Sequence, residues 1–412
     1  MTIGKKLLGF SKIFLMILIL DTLTNVSMGQ TVNLGSMKDN TLYEDTTGAI
    51  SNGAGNYFFT AKTVQGLNRR GLIAFDVSNI PKCATITSVS LTLHMSRAIS
   101  GDRNVELRKV FENWGEGSSA PVGEEGSGTV ADSGDATWLN TYYDTALWTR
   151  QGGTFSSISS AGIMVGAVGF YTWDSSSQMI SDVQSWVNNT SGNYGWLLLG
   201  DESESGTAKR FDTKENPTLS FRPVLTVTYT NISVSLNLTA ILEGFWNGSN
   251  MISDTVKVFL RNPTFPFAKV DSAKVALNNL GNGLLCFPNA ASGSYYIQVR
   301  HRNTIETWSK LPQSFITGVV KNYDFTTAST QAFGDNMVLK LGKYSFYSGD
   351  VNQDGTIDGS DTQLIDNDAA NFITGYVTTD VNGDNFVDGT DGLIAGNNAE
   401  NFVTAETPLN TN

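Results

Sequence analysis

Residues 350–361 and 380–391 are one twelve-residue pattern written twice, thirty residues apart. The first reads Asp-Val-Asn-Gln-Asp-Gly-Thr-Ile-Asp-Gly-Ser-Asp, and the second Asp-Val-Asn-Gly-Asp-Asn-Phe-Val-Asp-Gly-Thr-Asp. Both place oxygen side chains at loop positions 1, 3, 5, 9 and 12. A loop with this spacing wraps a hard cation in six to eight oxygen ligands. The expected ligands of the first loop are Asp350, Asn352, Asp354, the carbonyl of Thr356, Asp358 and Asp361. In the second loop they are Asp380, Asn382, Asp384, the carbonyl of Phe386, Asp388 and Asp391. A large, flexible, all-oxygen shell suits calcium, whereas magnesium keeps its waters and wants a tight octahedron. The expected cofactor is therefore two Ca2+ ions. Asn367, Ala369, Asn371, Phe372 and Thr374 recur as Asn397, Ala399, Asn401, Phe402 and Thr404. Each loop is followed by a short helix that cannot bury its apolar face alone, so the two repeats are expected to pack together.

Charge supports the same reading. Residues 344–412 hold ten Asp and two Glu and no Lys, Arg or His, which accounts for the whole net charge of −12. The acids alternate with Ile357, Leu364, Ile365, Phe372, Val387, Ile394 and Phe402, unlike a solvated acidic tail. Without metal, four carboxylates per loop repel one another, so the segment is expected to fold poorly. No basic patch points to nucleic acid. Residues 1–29 read as an export signal: Lys5, Lys6 and Lys12, an apolar run over 13–20, then Ser27-Met28-Gly29. The mature chain is expected to be secreted or at the cell surface, without a membrane span. The two cysteines, Cys83 and Cys286, fall in different expected domains; a bridge between them is open, but they read first as separate buried apolar residues.

Between signal and repeat the chain is strand-rich. Val89, Leu91, Leu93 and Met95 alternate, followed by Val105, Leu107, Lys109 and Phe111, then residues 195–200 and 224–229. Ile180, Val183, Trp186 and Val187 share one face at helical spacing, with Ser181 or Asp182 near the helix start. Residues 30–230 are expected to form a jelly-roll β-sandwich. In residues 231–343 three sets alternate: Ile232, Val234, Leu236, Leu238 and Ala240; Val256, Val258 and Leu260; Tyr295, Ile297 and Val299. They predict an immunoglobulin-like or transthyretin-like sandwich that spaces the modules. Residues 344–405 are the small α calcium-loop pair, and 406–412 a tail. The fold class is mainly β.

Two resemblances join this reading. The run Arg69-Arg70-Gly71-Leu72-Ile73-Ala74-Phe75-Asp76-Val77, with Ile80-Pro81 and residues 84–91, resembles the DNRLRE domain family. That family overlaps carbohydrate-binding module family 96. Asp135-Ala136-Thr137-Trp138, Trp148 to Phe155, Asp182 to Trp186, Trp196, Lys209-Arg210-Phe211-Asp212 and Arg222-Pro223-Val224-Leu225 extend the likeness. It departs at Thr213-Lys214, where Ser-Arg is common. The resemblance implies a jelly-roll module of secreted or cell-surface proteins, with some members binding acidic glycans. The C-terminal unit resembles type I dockerins, which use Asp at position 12. Asn385 stands where Gly is usual at position 6, and Asn tolerates a left-handed backbone. The helices depart: residues 362–372 hold Asp366, Asn367, Asp368 and Asn371 and no basic residue. Calcium carries over from this resemblance; cohesin, the protein that dockerin helices grip, does not carry over on these helices, and the protein partner of the repeat stays open.

Glycan binding needs aromatic platforms or cations. Trp114, Trp138, Trp148 and Trp173 are candidates for stacking, and Arg69, Arg70, Lys209, Arg210 and Lys214 for acidic sugars. No nucleophile, zinc or phosphate-loop motif is present, and His94 and His301 lie in predicted strands. Glu112, Glu116, Glu124 and Glu125 could supply a hydrolase or lyase pair but read as solvated loop charges. The reading is a secreted, non-catalytic, multi-module protein that binds polysaccharide or mediates adhesion. The alternatives are a structural surface or filament subunit and an accessory component of polysaccharide degradation.

Overall fold

The computed structural model describes residues 29–231 and 233–411. The export signal up to residue 28, Ile232 and Asn412 lie outside the described residues. The chain is mainly β with largely antiparallel sheets.

One long strand organises the first 200 residues. The beginning of Gln30–Tyr43 pairs with Val224–Thr230, and its end pairs with Asn68–Phe75. The register shifts between Ser36 and Lys38, where the strand passes from one layer to the other. Such an irregularity bends a strand and increases its twist. Tyr57–Lys62 makes the same double connection, to Lys209–Asp212 and to Asn68–Phe75. The predicted apolar alternation lands inside: Val89, Leu91, Leu93, Met95, Val105 and Leu107 are fully buried in one core with Phe58, Ile73, Phe211 and Val227. Phe111 falls beyond its strand and is exposed.

The expected helix is Ser177–Asn188, and it begins earlier than predicted. Ser176 is the N-cap, its hydroxyl accepting from Met179 N, which satisfies an otherwise orphan donor. Asp182 is mid-helix and buried, and takes hydrogen bonds from Ser160 Oγ at 2.5 Å and Trp196 Nε1 at 2.9 Å. Met179, Val183, Trp186 and Val187 pack into the core, with the Trp186 ring edge-on to Trp196.

Residues 233–345 form a three-stranded and a five-stranded sheet, with a two-stranded hairpin of Val338–Lys340 and Lys343–Ser345. Val234–Thr239 pairs antiparallel with Asn282–Phe287 and parallel with Val320–Asp324. Thr255–Arg261 lies between Lys269–Ala276 and Gly293–Arg300. Val234, Leu236, Leu238, Val256, Val258, Leu260, Tyr295, Ile297 and Val299 share one core, as alternation predicts.

The cysteines correct the sequence reading. Cys83 and Cys286 are bonded to each other, with Cα atoms 5.6 Å apart. The loop before Thr85–Ala98 meets the strand Asn282–Phe287, a contact between elements 203 residues apart that no local pattern encodes. The bridge ties the two strand-rich tracts together.

The repeats fold as two loops and the helices Gly359–Ala370 and Gly389–Glu400. Each helix opens on a capping box, with Asp358 and Asp361 in the first and Asp388 and Asp391 in the second. Val351, Ile365, Val381, Val387 and Ala395 make their small core. Phe372 and Phe402, two of the apolar residues that alternate with the acids, are almost wholly exposed. No described helix is long and apolar enough to cross a membrane.

Candidate functional site

The two loops hold each other closed. Ile357 N donates to Val403 O at 2.9 Å, and Val387 N to Ile373 O at 3.1 Å. Ala405 N donates to Gly355 O and Gly375 N to Asn385 O, both at 2.8 Å. Each loop is thus stitched to the segment that follows the other loop's neighbouring helix. Position 6 is left-handed in both, at φ 90° for Gly355 and 69° for Asn385, the backbone that Asn was expected to tolerate.

Within each loop the last aspartate is held by backbone N–H groups. Asp361 Oδ1 accepts from Val351 N and Asn352 N, and Oδ2 from Asp358 N. Asp391 repeats this with Val381 N, Asn382 N and Asp388 N. Asp350 is buried, and its Oδ1 meets no hydrogen-bond donor among the described residues. Burial, then the charges of Asp361 and Asp354, push the Asp350 carboxyl up to about 7. Burial also raises Asp361 and Asp391. In the first loop, an orphaned buried oxygen beside the charges of Asp361 and Asp354 fits a bound cation, which removes the repulsion; in the second, both Asp380 oxygens already accept hydrogen bonds. Asp350, Asn352, Asp354, Asp358 and Asp361, with the Thr356 carbonyl, would hold one ion. Asp380, Asn382, Asp384, Asp388 and Asp391, with the Phe386 carbonyl, would hold the other. A bound ion there supplies charge neutralisation.

The second loop differs in its neighbours. Arg302 Nη2 lies 3.3 Å from Asp380 Oδ2, and Arg302 Nε lies 3.0 Å from Asp254 Oδ2. His301 Nε2 is 3.1 Å from the same Asp254 oxygen, and Tyr376 donates to Asp254 Oδ1 at 2.6 Å. Asn303 Nδ2 donates to Asp380 O at 2.7 Å, and Asn398 Nδ2 to Glu243 Oε2 at 2.7 Å. The repeat is therefore bolted to the second tract by buried polar contacts. Neither histidine is isolated: His94 Nδ1 lies 2.5 Å from Asp212 Oδ2 and stacks on Phe221.

The aromatic platform expectation fails. Trp114, Trp138, Trp148 and Trp173 are all buried. Trp114, Trp148 and Trp173 donate to the carbonyls of Tyr194, Thr137 and Val105, each at 2.9 Å. A large ring with one polar atom goes inside once that atom finds a carbonyl. Most of the cations are also engaged. Arg69 is buried over the Tyr43 ring, and Arg70 makes two hydrogen bonds to Glu202 at 2.7 and 2.8 Å. Lys209 is buried and donates to the carbonyls of Ser100 and Gly101. Lys214 pairs with Glu116 and Glu215.

Arg210 is different. It stacks on Tyr57, 3.8 Å from the ring centroid, and is the cross-strand partner of Arg97. Both guanidiniums reach Glu124 Oε2 at 2.6 Å. Like charges directly opposite on a sheet repel unless an anion sits between them. Glu124 fills that role, although its side chain is 69% exposed on a glycine-flanked loop. The pair borders a cavity of about 210 Å³ lined by Phe59, Val64 and Ile99. Sequence reasoning missed Arg97, because only the strand register brings it opposite Arg210.

Two of the four carboxylates expected to be solvated are not. Glu125 is buried and accepts from Asn56 N, Tyr57 N and Asn52 Nδ2. Glu116 accepts from Asp39 N at 2.8 Å. Glu112, on the surface, receives Thr149 N.

No family model matches the chain, and no curated protein matches it. Two mutant type II cohesin–X-dockerin complexes from Acetivibrio cellulolyticus are similar at 13% and 12% identity. They cover 41% of this chain and 99% and 97% of those chains, with TM-scores of 0.24 and 0.22. A glycosyl hydrolase family 2 member from Bacteroides cellulosilyticus matches at 8% identity over 69% of this chain and 36% of that one, with a TM-score of 0.12. Likenesses this weak carry no argument about function.

Proposed function

We propose that the chain is a secreted, non-catalytic, multi-module protein that binds acidic polysaccharide through a jelly-roll module spanning residues 30–230. Two calcium ions in the C-terminal, dockerin-like repeat stiffen it against a β-sandwich spacer. The jelly-roll assignment draws on the two strands that serve both layers, and on the DNRLRE-like residues. The observation that carries the binding reading is the Arg97–Arg210 pair. Two adjacent guanidiniums beside an apolar cavity, bridged by one exposed carboxylate, can exchange that carboxylate for a sugar acid.

Pull-down of the purified protein on insoluble acidic and neutral polysaccharides tests this. Retention on acidic material, lost in Arg97→Ala with Arg210→Ala at an unchanged unfolding midpoint, is expected. Retention on no polysaccharide would sink the reading. A second reading, a self-associating structural subunit, is favoured by Phe372 and Phe402, which are 87% and 84% exposed at matching points of the repeat. Sedimentation should then show mass rising with concentration, abolished by Phe372→Ala with Phe402→Ala.

A further inference from the structure

We infer that Asp39, Glu116 and Glu215 form a third cation site, in the first tract and far from the repeat in sequence, and that its ligand is calcium. The three carboxylates come from separate elements. Asp39 lies on Gln30–Tyr43 just past the register shift, Glu116 on the loop after Trp114, and Glu215 after Lys209–Asp212. One carboxylate oxygen from each lies within 4.8 Å of the others. Such crowding of anions demands compensation.

The compensation present in the protein is incomplete. Asp39 is 1% exposed, and its Oδ1 meets no hydrogen-bond donor among the described residues; neither does the buried Glu215 Oε2. The other Asp39 oxygen accepts from Ser36 Oγ and Lys214 N, both at 3.1 Å. Lys214 Nζ contacts Glu116, at 3.0 Å, and Glu215, one ammonium against three carboxylates. Lys38 is directed elsewhere, to Asn113 Oδ1 and the Trp114 carbonyl.

The surroundings fix the donors in place. Asp39 N holds Glu116 Oε1, and Asn40 Nδ2 holds the Glu116 carbonyl at 2.7 Å. Gly53 packs against that carbonyl so closely that a Cβ would stand 2.0 Å from it. The donor set is all oxygen, without nitrogen or sulfur, which suits a hard cation. Its irregular placement suits calcium, which accepts variable geometry and completes its shell with water. Burial, then the charge of Glu215, push the Asp39 carboxyl up to about 8, so a proton and a cation compete for this position.

This site does not depend on the C-terminal loops, and the experiment separates them. Bound calcium per chain is measured by equilibrium dialysis of the full chain at mildly alkaline pH, with calcium chloride alone as the probe. Asp39→Asn is expected to bind one ion fewer than the wild type, whatever the loops contribute. If the loops bind none, the counts should fall from one to zero. Equal counts in both proteins would overturn the inference. Should Asp39→Asn fail to fold, Glu215→Gln, whose side chain is 24% exposed, is expected to show the same loss. Lys214→Met removes the competing ammonium and should tighten this site by about tenfold. A cluster that is only an ion-pair knot would instead lose stability in Lys214→Met with no change in calcium binding.

Discussion

Trp148 illustrates how one polar atom decides a residue's role. Its ring is buried, and its indole nitrogen is satisfied by the Thr137 carbonyl. It packs with Trp114, Trp138 and Leu197 in a satellite core. Trp148→Ala should therefore cost roughly 3–5 kcal/mol, the range for truncating a buried aromatic. Calorimetry should show a lowered midpoint, and an unchanged midpoint would mean the ring is a surface platform after all. Glu124 makes the opposite case. Bonds from Arg97 and Arg210 lower its carboxyl, yet it is open to solvent. Glu124→Gln withdraws the internal anion from two facing guanidiniums. Retention on acidic polysaccharide should strengthen by a few-fold, measured by depletion isotherms. Weaker retention would mean that Glu124 itself contacts the ligand.

At the scale of elements, the repeat and its seat on the second tract act together. Metal that binds only the folded loops stabilises them by mass action. Asp350→Ala and Asp380→Ala should each remove one C-terminal ion, and chelator should lower the unfolding temperature of the repeat. A curve unmoved by chelator would count against calcium there. The seat carries its own pH dependence. Burial raises the Asp254 carboxyl, but bonds from His301 and Tyr376 outweigh it and hold the group well below the usual range. Burial lowers His301, against the pull of Asp254. A depressed carboxylate stabilises the fold above its unfolded pKa, and that stability is lost as pH falls through the folded value. A depressed imidazole resists protonation, so stability falls as pH drops below its ordinary 6.5. Both signs agree. Proteolysis at the contact between the repeat and the second tract should quicken between about pH 7 and about pH 5. His301→Gln should flatten that part of the profile.

For the whole molecule, the Cys83–Cys286 bridge changes what a domain boundary means. Closing a chain segment of 203 residues stabilises by about 5 kcal/mol in the chain-entropy view, less where the unfolded chain keeps structure. A protease cut near Asn231 should leave two pieces that migrate together without reductant and apart with it. Pieces that separate without reductant would show the cysteines unpaired. Cys83→Ser should lower the unfolding midpoint while leaving calcium stoichiometry unchanged.

What the sequence determined by itself was everything encoded over short spans. Alternation placed Val89 to Met95 and Val256 to Leu260 in cores, because a strand presents every second side chain to one face. Helical spacing found Val183, Trp186 and Val187 on the buried face but placed the helix start near Ser181 or Asp182, whereas Ser176 offers the cap and Met179, not Ile180, is the fully buried residue of the first turn. The repeat pattern fixed two matching loops, because a twelve-residue turn closes on its own residues. The tertiary structure alone decided the rest. It paired Cys83 with Cys286, set Arg97 against Arg210, buried the tryptophans and gathered Asp39, Glu116 and Glu215. Each of these depends on contacts between segments distant in sequence, and the Arg97–Arg210 pair on strand register. A one-residue slip would turn Arg97 or Asp39 to the other face, and nothing local to either residue specifies that register.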